Sequence, residues 1–362
     1  MSTLLPLHEL HAELGGRFAE VNSHEIVEDY GNPDAEYTAL TRTAGVVDLS
    51  FRGRLCLTGA DRVRLLHGQV TNDVQKLQTG DGCYAALVTN KGKFQSDAHI
   101  YALAEELLLD FEPGLTAAIL GRLDHYIVAD DVQMVDVAPH YGLLSVQGPR
   151  AAEVLHKLGL NLTLPTKPLG LIHVPDAALG DLYFVHHERA GSDGYDCFIP
   201  TAAAAMVFDK LVLGARLVGG GAGGFAALEL ARFEAGIPRF GVDMDETNLP
   251  PEAGIDTRAI SYTKGCYIGQ EVIARIRTYG QVAKALRRLR LPAPPAVLPV
   301  KGDKLFRDGR DVGYVTSARF SPAQQANLAM AYVRREANTP GTPLTLHTAG
   351  GELAVEVLPL QP

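Results

Sequence analysis

One stretch of the chain concentrates side chains able to do chemistry: Thr263-Lys264-Gly265-Cys266-Tyr267-Ile268-Gly269-Gln270-Glu271. Val272, Ile273 and Ile276 follow at helical spacing and Gly280 supplies a stop, so the pattern predicts a helix with Cys266 just before its N-terminus. The positive end of that helix and the Lys264 ammonium would both favour a thiolate, and Gly265 and Gly269 would leave room for close approach. A thiolate so placed is a nucleophile or a redox group. The other reading of a lone cysteine is a small residue buried in a tight loop.

Carboxylates form the second set of candidates. Asp97 lies on a predicted strand with Gln95, His99 and Tyr101 on its own face and Phe94, Ser96, Ala98 and Ile100 on the other, which aims it with the polar set. Glu234 falls in the last turn of a predicted helix, where the helix dipole disfavours a carboxylate. It therefore needs a partner, and Arg232, two residues away, points elsewhere. His186 and His187 beside Glu188 suggest a metal at first sight. Adjacent residues of a strand face opposite ways, however, so the pair cannot chelate one ion and no metal site is expected.

These residues require particular elements to position them. Tyr84 to Thr89 and Lys93 to Tyr101 flank Asn90-Lys91-Gly92, a turn sequence, and predict a hairpin that carries Asp97. Thr58-Gly59-Ala60-Asp61 resembles a capping box and predicts a helix from about Asp61 to Val70. Val132 to Val137 and Gly142 to Val146 read as strands, Gln147-Gly148-Pro149 as a turn, and Arg150 to Leu158 as a helix. Phe225 to Ala235 reads as a helix stopped by Gly236, with Gly219 to Gly224 as its flexible entrance. That glycine run lacks the Lys-Ser/Thr ending of a phosphate-binding loop and the spacing of a dinucleotide fingerprint. From about Ala285, Leu291-Pro292-Ala293-Pro294-Pro295 and Pro299 punctuate short strand-like runs that predict a small β-barrel.

Composition sets the outer limits. The chain has 362 residues, 46% hydrophobic and 21% charged, enough apolar mass for two or three packed units. The first twenty residues lack a basic end followed by an apolar core, and no apolar run reaches spanning length, so a cytoplasmic protein without a membrane segment is expected. The four cysteines, Cys56, Cys83, Cys197 and Cys266, form no Cys-x-x-Cys pair. Neither a zinc knuckle nor a self-contained cluster site is spelled out, so any iron–sulfur link would run through partners or a single thiolate. A formal charge of −9 argues against a surface that coats nucleic acid. Lys264, Arg275, Arg277, Lys284, Arg287, Arg288 and Arg290 nevertheless crowd one segment, either as an anion-binding patch or as a solvated basic face.

Lys264-Gly265-Cys266-Tyr267-Ile268-Gly269-Gln270-Glu271 resembles the signature of the YgfZ family. Arg232-Phe233-Glu234-Ala235-Gly236-Ile237-Pro238 is similar to a segment shared with the glycine-cleavage T-protein, an aminomethyltransferase. Asp48-Leu49-Ser50, Thr71-Asn72-Asp73, Gln147-Gly148-Pro149 and Val312-Gly313-Tyr314-Val315-Thr316-Ser317 suggest the same ancestry. The resemblance implies an α+β class: a folate-binding body of α+β subdomains around a central cavity over residues 1–284, and a C-terminal β-barrel over 285–362.

It also implies tetrahydrofolate or a one-carbon derivative as cofactor, with Tyr84, Asp97, Tyr101, Asp196, Arg232 and Glu234 as binding residues and Cys266 and Asp97 as catalytic ones. Asp97 and Tyr101 match the second of the family's paired aspartates and its following tyrosine, while Ser96 replaces the first. Asp196 ends a segment, Arg189 to Asp196, whose last position is a glutamate that reads the pterin in the family; here it is shorter, and Arg189 stands where the family has tyrosine. Three functions follow as expectations. The first is a folate-dependent factor for assembly or repair of iron–sulfur proteins, with those proteins or their assembly machinery as partners. The second is aminomethyl transfer through Asp97, and the third is a non-catalytic role linked to tRNA modification.

Overall fold

In the computed structural model, which describes residues 2–292 and 297–361, the chain divides into two compact bodies. The first comprises Met1–His67, Asp73–Tyr84 and Ala98–Arg232; the second comprises Gly68–Asn72, Ala85–Asp97 and Phe233–Pro362. Ala293, Pro294 and Pro295 of the proline-rich run lie outside the described residues. No helix among those described is long and apolar enough to cross a membrane.

The first body is built on a six-stranded sheet whose central strands are Tyr141–Gln147 and Gly194–Pro200, paired so that Asp196 stands opposite Ser145. The helix Thr201–Leu217 packs Val207, Phe208, Leu211 and Ala215 into the core against this sheet. Within the same body, the strand Gly53–Thr58 pairs with Leu107–Phe111, and the register sets His99 opposite Asp110. The expected hairpin is present as Gly82–Val88 and Phe94–Ala102. Ser96, Ala98 and Ile100 are buried and Asp97 and His99 partly exposed, as alternation requires, but Tyr101 is fully buried despite its polar-face position.

Two local readings are corrected. Thr58 ends a strand, and the helix Arg62–Gln69 is preceded by Asp61, whose carbonyl accepts from the Leu65 N–H. The glycine run is no flexible entrance, because Gly221–Ala222 pairs in parallel with the strand Gly45–Asp48. A Cβ on Gly220 would stand 1.8 Å from the Ala44 carbonyl oxygen, so this run is glycine-rich because the backbones are in contact.

In the second body, six strands close into a barrel in the spatial order Lys284–Arg290, Ala326–Arg334, Arg310–Ser321, Lys304–Arg307, Pro343–Thr348 and Gly351–Leu358, the last pairing with the first. The Val312–Ser317 motif lies on its longest strand, where a register shift turns Thr316 and Ser317 so that both hydroxyls donate to Asp243. Thr71 ties together three stretches of this body. Its hydroxyl donates to the Ala259 carbonyl and accepts from the Ala86 N–H, and its carbonyl accepts from the Ser261 N–H.

Candidate functional site

The first body encloses a cluster of opposite charges that no surface protein needs. Asp110 sits in the strand Leu107–Phe111, otherwise entirely apolar, and both it and Asp196 are 0% exposed. Arg189 joins them: its Nη2 donates to Asp110 Oδ2 at 2.6 Å and its Nε to Asp196 Oδ2 at 2.8 Å. Arg52 completes the set, donating from Nε to Asp110 Oδ1 at 2.7 Å and from Nη1 to Glu112. Desolvating such charges is repaid only when their geometry is good, and removing one partner of a buried pair typically costs about 3–5 kcal/mol. Arg189 is therefore held, not merely parked, by two carboxylates.

Neutral groups fix the cluster in place. Ser145 donates to Asp196 Oδ1 at 2.8 Å, and His187 Nδ1 lies 2.9 Å from Asp196 Oδ2, which makes Nδ1 the protonated nitrogen facing an ionised carboxylate. Gln147, fully buried, donates to Ser145 Oγ and the His187 carbonyl and accepts from the Arg189 and Ala190 N–H groups. The turn sequence Gln147-Gly148-Pro149 thus begins with the residue that shapes the 187–190 segment. Three rings line up beside the charges: Tyr84 stacks on His99 with centroids 4.9 Å apart, and His99 tilts against His187 at 4.2 Å. The Tyr101 hydroxyl lies 3.4 Å from His187 Nδ1.

Burial alone would push the Asp110 and Asp196 carboxyls up, but Arg52 and Arg189 at the first, and Arg189 and His187 at the second, overcome it. Asp110 ends at about 2 and Asp196 is also held below the usual carboxylate range. His99 and His187 go down, His99 far down, from burial first and then from neighbouring positive charge. Neutral histidines in the fold mean that the unfolded chain binds more protons once the pH falls below about 6.5. Stability should therefore decline as pH drops from about 6.5, and decline again below about 4, where the depressed carboxylates of the folded state oppose protonation. Urea unfolding followed at pH 7.5, 5.5 and 3.5 should show both losses, with His99→Phe shrinking the first. An unchanged loss between pH 7.5 and 5.5 in that variant would contradict the assignment.

The predicted site residues divide between the bodies. Tyr84, Tyr101 and Asp196 meet in the cluster just described, whereas Arg232 forms a buried two-pronged pair with Glu229, one turn back on the helix Phe225–Glu234. Asp97, partly exposed, belongs with Cys266 and Glu234 to the second body. Glu234 finds its required partners in that body: it accepts from the Ser321 hydroxyl and the Ala323 N–H, and Arg288 caps its backbone carbonyl at 3.0 Å. His186 and His187 turn to different carboxylates, Asp193 and Asp196.

The Cys266 loop differs from expectation. Its helix begins at Gln270 with Gly269 as N-cap, so Tyr267 and Ile268 separate the thiol from the capping position and Cys266 is not part of the helix's first turn. The Lys264 ammonium is turned away to the Val70 and Asn72 carbonyls, at 2.6 and 2.8 Å, and lies over the Tyr267 ring. Lys264 and Tyr267 are buried while Cys266 and Gly265 are exposed. Gly269 is required twice over: its φ is +82°, and a Cβ would meet the Thr89 carbonyl oxygen at 2.5 Å. Gln270 and Glu271 open the helix, and Glu271 pairs with Arg275 on its exposed face.

Three members of the basic run are engaged on the strand Lys284–Arg290, whose Arg290 is exposed. Lys284 bonds the Tyr314 hydroxyl, and Arg287 and Arg288 donate to backbone carbonyls. Arg277 lies over the Tyr262 ring, leaving a short exposed stretch of the helix around Arg275.

Asp110, Arg52, Glu112, His99, Ser145 and Gln147 were not anticipated as site residues. A lone carboxylate in Leu107-Leu108-Leu109-Asp110-Phe111 was the available signal, because a charge amid a continuous apolar run demands a buried partner.

Comparison with known proteins places these features in context. Residues 7–264 match the GCVT N-terminal domain and residues 284–361 the glycine cleavage T-protein C-terminal barrel domain. The chain is 28% identical over 363 residues to an aminomethyltransferase of Shouchella clausii, covering 98% of this chain and 95% of that protein. It is also 28% identical over 340 residues to an aminomethyltransferase of Thermus thermophilus, covering 92% of each. The crystal structure of glycine cleavage system aminomethyltransferase T from Bartonella henselae superposes with a TM-score of 0.88 at 24% identity, over 99% of this chain and 98% of that one, and establishes a shared fold. With an α+β body, a C-terminal six-stranded barrel and family matches over most of its length, the chain belongs to the glycine cleavage T-protein family.

Proposed function

We propose that this chain binds a reduced folate and acts as a factor for the assembly or repair of iron–sulfur proteins, with Cys266 as its working thiol. The observation that carries this reading is the contrast within one loop: Cys266 is exposed, while Lys264 on one side and Tyr267 on the other are buried and held. An anchored loop with its thiol outward presents sulfur to a partner without losing much freedom on contact. The likeness of Lys264 to Glu271 to the YgfZ signature supports the same reading. The cofactor would be tetrahydrofolate or a one-carbon derivative, which supplies or accepts a one-carbon unit when bound. For it the chain offers the stacked Tyr84 and His99 rings, with His187 tilted against His99, as an aromatic wall beside hydrogen-bonding charges.

Aminomethyl transfer through Asp97 is the second reading, and the names of the relatives favour it. Against it stand Ser96 in place of the first aspartate, its hydroxyl turned to the Asp97 carbonyl, and the pairing of Asp196 with Arg189.

The two readings part in one pair of assays. In cells lacking the chain, the wild type should restore iron–sulfur enzyme activity and Cys266→Ala should restore almost none. With an aminomethyl-lipoyl carrier and tetrahydrofolate, the wild type should produce no methylene-tetrahydrofolate. Transfer that Asp97→Asn abolishes and Cys266→Ala retains would overturn the first reading in favour of the second.

A further inference from the structure

The carboxylate that resemblance assigns to the pterin cannot read a ligand directly in this protein, because its oxygens are already taken. Asp196 Oδ1 accepts from Ser145 Oγ, and Oδ2 from His187 Nδ1 and Arg189 Nε. Arg189 is anchored a second time through Nη2 to Asp110, itself paired with Arg52. What this arrangement leaves unused is the other edge of the guanidinium. Among the described residues, every hydrogen bond from the Arg189 side chain runs through Nε or Nη2, and 9% of the side chain is still exposed. Beside it, His99 approaches the same Asp110 oxygen, at 3.8 Å, that Arg189 bonds, and carries the ring platform on to Tyr84.

We infer that Arg189 is the specificity-determining residue of this site: it presents Nη1 hydrogen-bond donors to an acceptor on a flat heteroaromatic ring, with Asp196 and Asp110 as its positioning partners. The polarity of the reading group is inverted. A carboxylate would seek the ring N–H and amino donors of a 2-amino-4-oxopteridine; a guanidinium seeks its 4-oxo group, as arginine seeks the O6 and N7 acceptors of guanine. Rotating Arg189 away to free Asp196 would break two buried ion pairs at once, so the guanidinium stays and the ligand meets donors. This inference rests on the folate reading above and adds which edge of the ring is recognised.

The test compares two ligands of the same oxidation state that differ at this edge alone, folic acid and its 4-amino analogue aminopterin, by isothermal titration against the full chain, with tetrahydrofolate as reference. Wild-type protein should bind folic acid at least about tenfold more tightly than aminopterin, since an amino group facing a guanidinium replaces attraction by repulsion. Arg189→Leu, checked for folding by circular dichroism, should lose or reverse that preference through the freed Asp196. Equal or tighter binding of aminopterin by the wild type, while tetrahydrofolate binds, overturns the inference and leaves the folate reading standing. If none of the three ligands binds the wild type, the folate reading fails and the inference falls with it. The wild-type comparison needs no variant to fold.

Discussion

Asp110→Asn is expected to lower the stability of the first body by about 3–5 kcal/mol, because it removes the charge that faces two guanidinium groups without removing the volume. The carboxylate accepts from Arg52 at 2.7 Å and Arg189 at 2.6 Å with no exposure to water. An amide in its place can accept through one atom only, and its NH2 would face a donor. Urea unfolding at pH 7 measures the effect, and the slope with urea should be unchanged if the folded and unfolded states keep their compactness. The exposed pair Arg150 and Glu153 supplies the control: Glu153→Gln removes an equally short ion pair, yet screening by water should leave the midpoint where it was. A loss as small for Asp110 as for Glu153 would mean that the cluster is hydrated and its geometry idle.

Lys264→Met is expected to cost roughly 2–3 kcal/mol in the second body, since the side-chain volume is kept while the buried carbonyl of Val70 and the half-buried one of Asn72 lose a charged donor. The functional consequence should be larger than the thermodynamic one. With the ammonium gone the loop from Tyr262 to Ile268 keeps the Ile268 N–H bond to the Gly68 carbonyl but loses its central tether, and the outward position of Cys266 is less firmly fixed. Amide exchange across that loop should accelerate by more than the change in global stability allows, and restoration of iron–sulfur enzyme activity should fall toward the level of Cys266→Ala. Unaltered exchange would show that the buried Tyr267 and the Ile268 N–H bond to Gly68 hold the loop without the ammonium.

Much of the architecture could be read from residue types because local signals and tertiary packing agree there. The alternation in Phe94 to Ala102 placed Asp97 correctly, the Gly236 stop ended its helix at Glu234, and proline-punctuated strand patterns announced the barrel. The failures are those of pairing across long sequence distances. Nothing near Asp110 in sequence shows that Arg189, 79 residues on, will reach it, and nothing near Glu234 points to Ser321. The glycines from Gly219 read as freedom because the backbone they press against, at Ala44, is 176 residues earlier in the chain. For the candidate site, resemblance identified Tyr84, Tyr101 and Asp196, which do converge. The arginine substituted at 189 was noticed, but that it seals Asp196 required coordinates. Cys266 shows the converse error: a cysteine near a helical pattern invites a dipole argument, yet three residues of loop remove it from the helix end.

The knot at Thr71 has a consequence for how the polypeptide reaches its native state. One hydroxyl links Ala86 with Ala259, a residue 188 positions downstream of Thr71, and the second body is assembled from three separated stretches of chain. Emerging from a ribosome N-terminus first, residues 68–72 and 85–97 can bond to each other at once but must wait for Ala259 and Ser261 before Thr71 has all of its partners. The first body, whose last stretch ends at Arg232, has all of its own residues earlier. Order of synthesis therefore imposes an order of folding, in which the hairpin can pair early while the bonds from Thr71 to Ala259 and Ser261 close only late.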